Sequence, residues 1–200
     1  MDGHLIVLLL VAGVWLAAGI LADRLPRLDR ARALRRRTGW LLALTLTGLG
    51  LTAAVLAAGL QSAGTGTVDR AAAGLALAAT PALLVGASTA RRVRRLWTGA
   101  GALATAPHAP APHGLRAAAA HPLVGLPLQV TGLATIPGVL SASGLDVFAG
   151  PGTTGAGVTI GALGVVAIGV RHALRHSRLA ERALPQRQPA SPRSASPLHV

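Results

Sequence analysis

The 200 residues carry 19 basic side chains, all arginine, against 6 acids, for a net charge of +13, yet 52% of the chain is hydrophobic and only 12% is charged. With a mean hydropathy of +0.55, this lies outside the range of water-soluble globular domains and points to a lipid environment. The absence of cysteine excludes disulfides, thiolate nucleophiles and thiolate metal sites, and the absence of lysine excludes a lysine-bearing phosphate loop.

A helix rising about 1.5 Å per residue needs about 20 apolar residues to cross about 30 Å of hydrocarbon. The first run of that kind is Leu5 to Ala22. Asp2 and His4 precede it where a signal peptide would be basic, so it is expected to stay as a helix. Then come Trp40 to Leu60, Ala71 to Ala90, Pro122 to Ser143, and a shorter run from Gly155 to Val170 that reaches full length if Arg171 snorkels to the head groups. The expected fold is all-α: a polytopic membrane helical bundle with transmembrane helices at 5–22, 40–60, 71–90, 122–143 and 155–174, all in one domain over 1–184. Residues 185–200, rich in Pro, Ser, Gln and Arg, read as a disordered cytoplasmic tail.

Connections rich in arginine are retained in the cytoplasm. Arg24 to Arg37, Arg91 to Arg95 with Arg116, and Arg171 to Arg193 alternate with connections that contain Arg70 alone. The N-terminus is therefore expected outside and the C-terminus in the cytoplasm. Arginine without lysine, among abundant Ala, Gly, Leu and Pro, is the bias of a GC-rich coding sequence and suggests a bacterial plasma membrane. Between the arginine-rich end of the third run and the fourth, Ala106 to His113 reads as an extended proline-rich linker, followed by a short interfacial helix over Gly114 to Ala120.

Small residues at three- and four-residue spacing let helix backbones approach closely in lipid. They mark a face on the second run (Ala43, Thr47, Gly50, Ala54, Ala58) and another on the fifth (Gly157, Gly161, Gly164). These faces can serve the bundle itself, a second copy or another membrane protein. A shift of 84 residues also aligns Thr47-Gly48-Leu49 with Thr131-Gly132-Leu133, the pattern of a duplicated helical hairpin, although so narrow a composition produces chance identities.

Prolines interrupt the fourth run at Pro127 and Pro137, and a helix broken beside Gln129, Thr131 and Thr135 would expose polar backbone in the manner of a carrier's substrate path. His172 and His176 share a helix face at metal-ligand spacing, but the neighbouring Arg171 and Arg175 disfavour a cation there. No acid lies in the apolar runs, so paired-carboxylate chemistry and an intramembrane proton relay have no residues to use. Arg35, Arg36, Arg37, Arg91, Arg92, Arg94 and Arg95 are expected to gather anionic lipids at the cytoplasmic face. Because the arginines lie in blocks between apolar runs, no nucleic-acid partner is expected. The expectation is a small non-enzymatic, cofactor-free membrane protein, an accessory bundle packing through its small-residue faces. The alternative is a carrier or half-carrier for a small uncharged solute.

Overall fold

A computed structural model of the protein describes residues 3–62, 66–106, 108–144 and 153–183, with the side chains of 67 and 153–158 outside that description. The described residues form helices and no strands: α1 (Gly3–Arg24), a 3-10 turn (Leu25–Arg27), α2 (Ala31–Gln61), α3 (Thr67–Leu103), α4 (His113–Ala119), α5 (Pro122–Ala142) and α6 (Thr153–Ala183). Four segments, Gly3–Arg27, Ala31–Gln61, Val68–Leu103 and His113–Ala142, are long and apolar enough to cross a membrane. The chain is thus a helical, multi-pass membrane type of protein. α6, with Arg171, Arg175, Arg178 and Arg182 in its second half, is not among the four. The tail expected at 185–200 lies outside the described residues.

Helices α2 and α3 overrun their apolar cores. α2 starts nine residues before Trp40, and α3 continues thirteen residues past Ala90, so both arginine blocks lie on helix and not in loops. Leaving hydrocarbon does not end a helix, and arginine, alanine and leucine are all good helix formers.

Four helices close a ring in the order α1, α2, α3, α5, each antiparallel to its neighbours. Trp15 of α1 meets Gly48 and Thr52 of α2; Gly39 of α2 meets Trp97 of α3 and Gly59 meets Ala72; Thr89 of α3 bonds the Leu123 carbonyl of α5; and Gly19 of α1 meets Gln129. The core runs down the middle through Leu8, Val11, Trp15, Leu41, Leu75 and Leu128, all within 1% of full burial. Trp15 is its largest member. Its indole lies against Gly48, where a Cβ would stand 2.9 Å from the ring, and its Nε1 donates to Thr52 Oγ1 at 3.1 Å. Gly132 of α5 meets the backbone of Trp15 and Leu16, so the two glycines of the shifted Thr-Gly-Leu match both seat on α1 at one level.

The small-residue face expected on the second run is not the packing face. Ala43, Thr47, Gly50, Ala54 and Ala58 are exposed, whereas Leu34, Thr38, Leu41, Thr45, Gly48 and Thr52 are buried. That seam accepts threonines because Thr38 and Thr45 return their hydroxyl protons to the Leu34 and Leu41 carbonyls, at 2.6 and 2.7 Å, which leaves no unpaired donor in an apolar interior. α3 and α5 approach backbone to backbone at Gly74 and Gly138, where a Cβ on Gly138 would press on the Gly74 carbonyl.

Nor is α5 broken. It is one helix from Pro122 to Ala142 through both Pro127 and Pro137. Pro127 falls in the second turn, and the Leu123 carbonyl that it leaves without a helical donor accepts from Thr89 of α3 instead; Pro137 likewise removes a single donor that the rest of the helix tolerates.

One end of the bundle collects the basic segments. Arg35 of α2 lies 5.5 Å from the centre of the Trp97 ring of α3. The linker is strapped to the α1–α2 turn by Ala31 N–H to Ala109 O at 3.0 Å and Ala111 N–H to Asp29 O at 2.6 Å. α4 and the second half of α6 lie at the same end, through Arg116 to Asp29 and Arg175 to Asp23, both ion pairs. At the far end, Ser62 hydrogen-bonds Asp69, whose second oxygen accepts from Gly66 N–H at 2.8 Å.

Candidate functional site

A polar seam joins α1, α5 and α6. Its centre is Gln129, set on the inner side of α5 where Gly19 of α1 has no side chain to keep it away; a Cβ at Gly19 would stand 3.1 Å from Gln129 Cγ. Gln129 Nε2 donates to the Gly19 carbonyl at 3.2 Å. Its Oε1 faces His172 Nε2 at 3.1 Å and accepts from Arg171 at 3.4 Å. His172 is 1% exposed and its imidazole presses on Gly125 of α5. With Nε2 turned to Gln129, its Nδ1 faces the Ala120 backbone without a hydrogen bond of normal geometry.

One turn outward, Asp23 ends α1 among three guanidinium groups. Arg171 and Arg175 approach Oδ1 at 2.7 and 2.9 Å, and Arg27 approaches Oδ2 at 3.4 Å. Arg175 also donates to the Asp23 carbonyl at 3.0 Å, satisfying an acceptor that the end of a helix leaves open. α6 is thereby held to α1 by charge, although its own packing is against α4 and α5. Below it, Arg116 of α4 bridges the Pro26 carbonyl and Asp29, each at 3.0 Å. His121 and His176 meet edge to face with ring centres 5.0 Å apart, while His176 Nδ1 donates to the Ala117 carbonyl at 2.8 Å.

Beside Gln129, a cleft of about 610 Å³ opens between Leu16 and Ile20 of α1, Leu133 of α5, and Ala167 and Ile168 of α6, with Asp23 and Arg171 at its basic end. It is a groove on the side of the bundle and not an enclosed cavity.

The remaining residues singled out from the sequence fall in different places. Thr135 is buried and donates to the Gly132 carbonyl at 2.6 Å, while buried Thr131 has no partner for its hydroxyl among the described residues. Pro137 lies inside unbroken α5. A side chain at Gly161 or Gly164 would meet nothing within 4 Å among the described residues, so no described element lies against these two glycines; the side chain of residue 157 lies outside the described set. Arg36, Arg37, Arg91, Arg94 and Arg95 are exposed with Arg35, and Arg92 is half-buried. His172 and His176 do not act as a pair, since one turns to Gln129 and the other to Ala117. Among the described residues no three metal-ligating side chains come together.

Sequence reasoning missed Asp23 as the hub of the ion pairs at the basic end of the seam. The available signal was an acid at the arginine-rich end of α1 together with arginines at i and i+4 on the last helix. Compared with known protein families, with curated proteins and with solved structures, the chain matches none of them.

Proposed function

We propose that this is a non-enzymatic accessory protein of a bacterial cell membrane, with five spans, its N-terminus outside and its basic end in the cytoplasm. The fifth span is the apolar first half of α6. In this reading the four-helix ring is a rigid support, and the first half of α6 is the surface that docks onto a second copy or another membrane protein. The basic end would hold Arg35, Arg36, Arg37, Arg91, Arg92, Arg94 and Arg95 against anionic lipids.

The observation that carries this reading is the state of Gln129. A solute path needs a polar group free to exchange partners, but both ends of this amide are already engaged by Gly19, His172 and Arg171. The carrier alternative also loses support from an unbroken α5. In contrast, α6 is clamped at its second half while Ile160, Leu163 and Val166 stand 61–71% exposed around the open glycines.

Replacement of Gly161 by leucine tests the docking surface. The variant is expected to melt like the wild type as a single chain in harsh detergent, and to lose the higher-mass species that the wild type forms in mild detergent. A wild type that stays monomeric and crosslinks to nothing through G161C, in a chain with no other cysteine, would remove the reading.

A further inference from the structure

The second half of α6 carries Arg171, Arg175, Arg178 and Arg182 at spacings of four, three and four residues, one continuous stripe along the helix. That stripe faces the 3-10 turn and α4 across a groove of about 550 Å³, where Arg27 and Arg116 complete a set of six guanidinium groups. Among the described residues only two carboxylates answer them. Asp29 lies in the wall and pairs with Arg116, and Asp23 is shared by Arg27, Arg171 and Arg175. Arg178 and Arg182 have no hydrogen bond or ion pair among the described residues, so the groove keeps a large unbalanced positive charge. Pro26, Leu174 and Leu179 give it an apolar lining.

Positive-inside retention explains arginines at this end, but it does not explain why they converge from three separate elements onto one concavity. Convergent guanidinium groups at close quarters repel one another unless an anion sits among them. The planar fork of arginine suits the oxygens of phosphate, which it can bind in pairs. The apolar lining suits the carbon skeleton attached to such a group.

We infer that the groove between the 3-10 turn, α4 and α6 is a binding site for a phosphate group, with Arg178 and Arg182 as the side chains free to hold it. The site is independent of the docking face on the first half of α6, and none of the exposed arginines of α2 and α3 lines it. A phosphodiester lipid head group and free phosphate share this chemistry.

The test uses the full chain in a phosphate-free maltoside detergent, followed by thermal unfolding during titration with phosphatidylglycerol in the micelle or with inorganic phosphate in the buffer. Wild type is expected to be stabilised saturably by at least one of them. Stabilisation by phosphatidylglycerol alone assigns a lipid, and stabilisation by inorganic phosphate, with or without the lipid, assigns the phosphate group itself. R178Q with R182Q is expected to weaken the apparent affinity by roughly tenfold or more, as removal of two basic contacts implies. The control pair R30Q with R32Q, which removes the same charge from exposed positions outside both the groove and the arginines assigned to anionic lipids, should change it less than about twofold. Both pairs need only melt like the wild type without added anion, which their lack of internal partners makes the expected result. The inference is overturned if neither probe stabilises the wild type, or if the two pairs weaken binding equally.

Discussion

The imidazole of His172 occupies the space that a side chain on Gly125 would fill, and this contact fixes how far α6 can settle onto α5. Substituting Gly125 with alanine drives a Cβ into the ring. Overpacking of this kind costs about 1–3 kcal/mol, and thermal unfolding in detergent should fall accordingly. H172A alone should also destabilise, by leaving Gln129 Oε1 with one donor fewer, but in the G125A background it should recover part of the loss. A G125A variant as stable as the wild type would mean that α6 does not seat on this glycine.

Asp23 holds α6 to α1, so D23N is expected to loosen the last helix while leaving the ring of four intact. The carboxylate is mostly buried, with Arg171 about half exposed and Arg175 about a quarter. The cost should therefore lie between those of an exposed and a buried pair, on the order of 2 kcal/mol. Trypsin cleavage at Arg171 and Arg175 reports it directly. Faster cutting in D23N than in the wild type, with no change in the bundle's far-UV spectrum, is the expected outcome; identical cutting rates would show that the ion pairs do not hold the helix.

Orientation is tested by reporter fusions. Fusions after Leu28 and Ala106 should read cytoplasmic, and fusions after Ser62 and Ser143 should read outside. A cytoplasmic signal after Ser143 together with an outside signal after Ala183 would invert the arginine-based assignment and place α6 on the wrong side.

The helical, multi-pass character was readable because hydrocarbon thickness dictates run length, and no other solvent asks for so many uncharged residues in a row. Helix ends were not readable from that rule. Arg35 to Arg37 and Arg91 to Arg95 mark where hydrocarbon stops, while the helices run on to Ala31 and Leu103. The face of α2 was misread for a different reason. Counting small residues presumes that backbones meet backbones, but here the neighbour is the bulky Trp15, which needs one gap, at Gly48, flanked by residues that fill the space around it. Gln129 stood out as a lone amide in an apolar run, yet its partners were illegible because Gly19 has no side chain and His172 looked like an interfacial residue. Pro137 announced a break that backbone hydrogen bonding on either side absorbs.

The antiparallel ring also has a consequence for biosynthesis. α1 is the first helix made, but the wall that receives Gln129 waits for a residue 110 positions later. At synthesis rates of roughly 5–20 residues per second, that is on the order of ten seconds during which Trp15 has Gly48 for company on one side and nothing on the other. A nascent α1 must therefore be held beside the α2–α3 hairpin before the ring can close. Two contacts of one residue, the Trp15 indole on Gly48 and its backbone on Gly132, are therefore made at different times in the life of the chain.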